Sequence, residues 1–314
     1  MMSFSLFGLL AFVACVTWLI ANSGAWLINK SNDRFFQGYN KYLVWLSASL
    51  PVLLPTTLIL VVLFIAYGKS FGWLNDHCLT HDLHHPHFCL AHFPSISLST
   101  LNATFISGIG LLLAISLFVK FLKTYSRYQR TKIIARLGRK QSSLVYYEST
   151  KPMAFAFGFV NPKIYISNAN KKLLTKKEQR IVIAHEAAHL RNKDSLKNIF
   201  MECFLTFHLF SNAIRKRFQL LIEIDADQQC TKRFKPFDVA QLLIKLGRFS
   251  RTSEYPISIV GSQLEQRITL LIETSSNPKK HWIYCTLLSV FLLLIPLTVV
   301  INHHALETIV GWLL

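Results

Sequence analysis

A chain of 314 residues has room for two soluble domains, but 52% of this one is apolar and the apolar residues are gathered in blocks, which excludes an ordinary soluble or disordered protein. Its formal charge of +18 is just as localised: 30 of the 34 Lys and Arg lie between Lys120 and Lys280, against 12 of the 16 acids. Such a basic stretch suits nucleic acid or the anionic cytoplasmic face of a membrane, and the apolar blocks favour the membrane, so no direct nucleic-acid partner is expected.

In chain order, the sequence predicts four transmembrane helices, over 1–28, 42–67, 101–122 and 282–301, each near the roughly 20 apolar residues a bilayer requires. The first has no preceding charge and no small-residue cleavage site, so it reads as a retained span. Pro51 and Pro55 predict a kink in the second. The positive-inside bias then places the N-terminus outside, the 29–41 linker inside with Lys30, Arg34 and Lys41, and the 68–100 loop outside with only Lys69. The basic domain over 123–281 falls inside, and the 302–314 tail, with no Lys or Arg, falls outside.

The outer loop concentrates His77, Cys78, His81, His84, His85, His87, Cys89 and His92, six of the twelve histidines and two of the six cysteines. Imidazole and thiolate favour zinc or copper, so a second, outer transition-metal site that senses a signal is one reading. A Cys78–Cys89 disulfide closing a small loop is the other.

Within the inner domain, a basic run from Lys123 to Lys140 reads as a helix leaving the membrane. Strand-like stretches follow at 144–147, 154–159 and 163–166, punctuated by Gly158 and Asn161-Pro162, as in a hairpin or small sheet. Thr175 and Glu178 form a capping box that opens a helix running past Leu190. A second helix is predicted over 195–214, at the membrane surface, and a third over 217–232. The fold class is an α-helical integral membrane protein with four transmembrane helices and a mainly helical α+β inner domain.

The capped helix carries His185-Glu186-Ala187-Ala188-His189. Residues four apart share a helix face, so both imidazoles can reach one zinc ion, with Glu186 at the neighbouring angle as a catalytic base for peptide hydrolysis. Chance supplies such a motif to roughly one chain in a hundred of this length, so corroboration matters. It comes from the helix start, the small apolar neighbours, and Glu223-Ile224-Asp225-Ala226-Asp227 downstream. Glu223 and Asp227 share a face, so one can bind zinc while the other orients a histidine. Glu202 and Asp225 are the alternative third ligands, and His208 reads as a structural histidine or a helper of the oxyanion.

With these motifs in hand, the sequence resembles the BlaR/MecR-type bacterial membrane zinc metallopeptidases, the antirepressor signal transducers of metallopeptidase family fifty-six. The resemblance rests on Phe155–Pro162, Glu178–Asp194, His208–Asn212, Glu223–Asp227 and Arg267-Ile268 with Leu270-Leu271 before the last span. It implies zinc ligands His185, His189 and Glu223, the base Glu186, and Asp227 behind a histidine. It also implies a substrate-binding edge strand with Phe155, Phe157 and Gly158. The implied setting is the bacterial inner membrane with a cytoplasmic active site, and the implied substrate is the protein itself or a winged-helix repressor. The antibiotic sensors of that family carry a penicillin-binding domain after the last span; here 13 residues follow Ile301, so β-lactam acylation is not expected. Two rivals stand beside this reading. One is a membrane quality-control peptidase of Ste24/HtpX type, which usually places membrane segments between the two motifs. The other is a non-catalytic membrane metal receptor, against which Glu186 argues.

Overall fold

A computed structural model of the protein describes residues 2–36, 40–73, 139–141, 144–150, 152–158, 163–251 and 258–272, with isolated helical positions at 115, 118, 119, 122, 126, 286, 290, 294, 298 and 301. The chain divides into two compact units. One holds Met1–Leu117, Phe204–Ser211 and Pro278–Leu314; the other holds Phe118–Cys203 and Asn212–Asn277.

The first unit is built on α1 (Met2–Phe36) and α2 (Lys41–Ser70). The N-cap side chain of Asn40 accepts from the N–H groups of Tyr42 and Leu43, which starts α2. Asn40 N–H in turn donates to Asn32 Oδ1 at 3.2 Å, so the two helices are pinned across a short connection. Small residues let them approach: Ala21 and Ala25 are buried against Leu50, and a Cβ on Gly24 would lie 3.3 Å from Leu50 Cδ2. Among the described residues one helix, α2, is long and apolar enough to cross a membrane. It stays one helix through Pro51 and Pro55. Of the other expected spans, 101–122 and 282–301 lie almost wholly outside the described residues, as does the outer loop from residue 74 onward.

The second unit begins with a four-stranded sheet of β1 (Arg139–Gln141), β2 (Leu144–Tyr147), β3 (Ala154–Phe157) and β4 (Lys163–Ser167), in the order β1-β2-β4-β3. The basic run expected to stay helical to Lys140 therefore ends in a strand. β3 and β4 form the antiparallel hairpin, with Phe155 opposite Tyr165, while β2 and β4 run parallel. Alternation sends Phe155, Phe157, Tyr147 and Tyr165 to one face of the sheet, around Val145. Ala154 joins the other face and packs on the helical core.

Helices α3 (Asn168–Leu173), α4 (Lys176–Arg191), α5 (Asp194–Leu205), α6 (Ser211–Thr231), α7 (Pro236–Arg251) and α8 (Ser258–Ile272) follow. Their core gathers Ile181 and Val182 of α4, Cys230 of α6, Val239, Ala240 and Leu242 of α7, and Leu271 of α8. Burying a side chain such as Ile181 contributes about 1.5–3 kcal/mol. The expected helix over 195–214 is interrupted after Leu205, and α6 starts at Ser211 rather than 217. The turn is held by partners that a helix would not supply. Leu209 N–H donates to Asn22 Oδ1 at 3.0 Å, Phe210 N–H to His208 Nδ1 at 2.9 Å, and Trp18 Nε1 to the Phe207 carbonyl at 2.8 Å.

Candidate metal centre

Helix α4 starts as its sequence dictates. Thr175 Oγ1 accepts from Glu178 N–H at 3.3 Å, and Glu178 Oε2 accepts from Thr175 N–H at 2.7 Å. Lys245 of α7 ties the same carboxylate at 2.9 Å. The pinned helix carries His185 and His189 one turn apart on the face turned to α6, from which Glu223 comes. Their ligand atoms converge: His185 Nε2 lies 3.1 Å from His189 Nε2 and 3.3 Å from Glu223 Oε2, and His189 Nε2 lies 3.7 Å from Glu223 Oε1. Among the described residues these three form the one group of metal-binding type, with ligand atoms all within 4.8 Å of one another. A tetrahedral zinc with bonds of about 2.0–2.1 Å sets its ligands about 3.3 Å apart, so the residues fit that ion.

Each imidazole is oriented from behind. His185 Nδ1 meets Asp227 Oδ1 at 3.0 Å, as the spacing of Glu223 and Asp227 predicts. His189 Nδ1 meets Asp194 Oδ2 at 2.9 Å, a partner the sequence reading missed. Lys193, left-handed at φ 54°, turns the chain so that α5 begins with Asp194 beside His189. Arg267 of α8 is a second residue missed: it donates to both Asp227 oxygens, at 2.7 and 2.9 Å, and reaches Glu223 Oε2 at 3.1 Å. The two other candidate ligands stand apart from this group. Glu202 is bound by Arg215, one of its oxygens at 2.9 Å, and Asp225 is absent from the convergent set. His208 is a satisfied histidine of the first unit, buried with Nε2 donating to the Ser47 carbonyl at 3.2 Å.

The electrostatics suit a cation. Burial alone would raise the Glu223 pKa, but the His185 hydrogen bond and the charges of Arg267 and the histidines outweigh it and hold the carboxyl at about 2. Burial would lower the His185 pKa, yet hydrogen bonds to Asp227, Cys230 and Glu223 raise it well above the ordinary histidine value. Glu186 moves the other way from Glu223. Burial is the largest influence and raises its pKa, against the opposing pull of the two histidines and of the Ala156 N–H, which the carboxylate accepts.

That hydrogen bond brings β3 to Glu186. β3 is the last strand in its sheet order, and among the described residues no strand pairs with its outer edge. The expected substrate-contact residues lie on this strand, but the rings of Phe155 and Phe157 pack on Tyr165, at 5.1 and 6.4 Å between centroids. Gly158, at φ 118°, ends the strand in a conformation that L side chains rarely adopt. What the start of β3 and the residues just before it contribute to the cavity beside the metal centre is Ala154, with Met153 and Pro152. The eight outer-loop residues His77, Cys78, His81, His84, His85, His87, Cys89 and His92 lie outside the described residues.

Two histidines one turn apart, a glutamate from a second helix, outer carboxylates and an adjacent half-buried glutamate define a class, the zinc metallopeptidases. Residues 123–275 match the model of peptidase family M48, whose peptidases are zinc-dependent, and the matched stretch contains every residue of the site. The match supports a zinc metallopeptidase without singling out the BlaR/MecR type. No curated protein matched the chain.

Proposed function

We propose that the protein is a membrane-bound zinc endopeptidase that hydrolyses peptide bonds in protein substrates from a cytoplasmic active site in a bacterial inner membrane. The observation that carries this reading is the convergence of His185, His189 and Glu223 with Glu186 at the adjoining helix position. His185, His189 and Glu223 would hold the zinc. Bound there, zinc polarises the scissile carbonyl and acidifies water toward a pKa near 7. Glu186 accepts the proton of the attacking water and returns it to the leaving amine; its raised pKa suits both transfers. The open edge of β3 aligns the substrate backbone by strand addition. Asp227 and Asp194 keep the imidazoles aimed, and Arg267 fixes Asp227 and Glu223.

Two finer readings have separate support. The match to family M48 favours a quality-control peptidase of HtpX/Ste24 type. Against it, the 33 residues between His189 and Glu223 hold no helix long and apolar enough to cross a membrane among the described residues. The resemblance over residues 155–162 and 208–212 favours a signal transducer that cleaves itself or a winged-helix repressor. Purified protein in lipid nanodiscs, offered an unfolded membrane protein and a winged-helix repressor in parallel, separates the two by which one is cut. Replacing Glu186 with Gln is expected to lower cleavage by about 10²–10⁴-fold with zinc content unchanged. Full activity in Glu186→Gln would sink the assignment of the base.

A further inference from the structure

The cavity beside the metal centre is larger than proton transfer requires. Its volume is about 570 Å³, and His185, Glu186, Glu223, Asp227 and Arg267 make up its titratable part. The rest of the wall is almost wholly apolar. Ile181 and Val182 lie one turn before His185 on α4, Leu242 and Leu246 come from α7, and Leu264 comes from α8.

Two uncharged carboxamides complete the wall: Gln263, whose Nε2 donates to the Lys216 carbonyl at 3.3 Å, and Asn170, at the end of the sheet. Asn170 lines the cavity, is 3% exposed, and its Oδ1 has no hydrogen-bond partner among the described residues. Its backbone is fixed at both ends. Asn170 N–H donates to Ser167 Oγ at 3.2 Å, and its carbonyl accepts from Leu174 N–H at 3.0 Å. The local fold therefore holds the carboxamide in place without satisfying it. A buried acceptor left unpaired costs folding free energy, and a leucine of similar size would remove that cost. Asn170 takes no part in the metal centre: among the described residues its hydrogen bonds are local to α3 and its cap.

We propose that this cavity receives a substrate side chain adjoining the scissile bond, that Asn170 sets its specificity, and that the side chain it selects is tyrosine. The inference rests on the peptidase reading. Leucine and isoleucine walls accept an aromatic body and reject a charge. A phenolic hydroxyl both donates and accepts, so it pairs with the carboxamide whichever way the amide is turned. Phenylalanine fills the same walls but leaves Asn170 unpaired. A site built around a hydrogen bond discriminates against the analogue lacking it more strongly than an apolar pocket discriminates by one methylene.

The test uses peptides that differ only in tyrosine or phenylalanine at each position flanking the cleaved bond, with the full-length zinc-loaded protein in nanodiscs. At one position, kcat/KM is expected to favour tyrosine by about tenfold in the wild type, the size of one satisfied buried hydrogen bond. In Asn170→Leu the ratio is expected to fall to within about twofold, while turnover of the phenylalanine peptide persists and reports that the variant is folded; Asn170→Ala serves if the leucine variant does not fold. An unchanged ratio in both variants overturns the proposal. Binding of the same peptides to Glu186→Gln, with and without Asn170→Leu, is measured by calorimetry. Tyrosine-selective binding that depends on Asn170, with no peptide cleaved by the wild type, upholds the pocket and overturns the peptidase reading. Cleavage with no selectivity in rate or binding overturns the pocket and upholds the peptidase.

Discussion

The far nitrogens of the two imidazoles rest on carboxylates that are anchored differently. Asp227 is 1% exposed and held by both arms of Arg267, whereas Asp194 is 3% exposed and bound at 2.9 Å by Lys197 from its own helix. Both fix the ring orientation in which the two Nε2 atoms converge. Asp227→Ala and Asp194→Ala are each expected to weaken zinc by about 10–100-fold, and Glu223→Ala, which removes a ligand, by more. Competitive titration against a zinc chelator ranks the three; equal affinity in wild type and Glu223→Ala would return the third ligand to Glu202 or Asp225. Asp227 was legible because four-residue spacing on a helix is a fixed geometry. Asp194 was not, because five positions after His189 it would point elsewhere on a continuous helix. Only the left-handed turn at Lys193, a conformation no residue type there announces, brings it back. Arg267 lies 40 residues from Asp227 in sequence, and no local pattern joins them.

At the scale of elements, the placing of α4 depends on one carboxylate with two duties. Burial works to raise the Glu178 pKa, but hydrogen bonds from Lys245 and Thr175 together hold it below the ordinary carboxylate range. A lowered folded-state pKa gives stability that is present above the unfolded value of about 4.3 and is lost as pH falls through the folded one. Glu178→Gln should therefore melt below the wild type at pH 7, with the gap closing below about pH 4. A gap that persists at pH 3 would assign the loss to packing. Thr175→Ala should cost about 1 kcal/mol at either pH, since its hydroxyl does not titrate. The contact between α7 and α8 gives a second test. A Cβ on Gly247 would lie 2.6 Å from Leu264 Cδ2, the end of a flexible side chain. Gly247→Ala gains about 1 kcal/mol of helix propensity but must displace that leucine. In a Leu264→Ala background the same change should stabilise by about 1 kcal/mol, and the two melting shifts should not add. The capping box and the β3–β4 hairpin were legible because both are local devices. The parallel pairing of β2 with β4 was not, since it is set by what packs between distant segments. The break after Leu205 was also hidden, because its turn is bonded by Trp18 and Asn22, more than 180 positions away.

At the scale of the whole molecule, the apolar blocks and the charge asymmetry together predict which side of the membrane each loop occupies, and cysteines stand on both predicted sides. Cys78 and Cys89 belong to the loop expected outside, and Cys203 and Cys230 to the domain expected inside. Among the described cysteines Cys203 is exposed, and Cys230 is buried at 1% with its thiol toward the Ile181 carbonyl at 3.9 Å. Exposure and sidedness therefore give separate signals. A membrane-impermeant thiol reagent applied to intact cells after mild reduction should label Cys78 or Cys89 and spare Cys203. Once the membrane is opened, Cys203 should label quickly, and Cys230 only as the core around Val182 and Leu242 loosens. Labelling of Cys203 in intact cells, with Cys78 and Cys89 protected until lysis, would reverse the orientation. It would also place Glu186 and the metal-binding group outside the cell membrane, where no cytoplasmic protein could reach them.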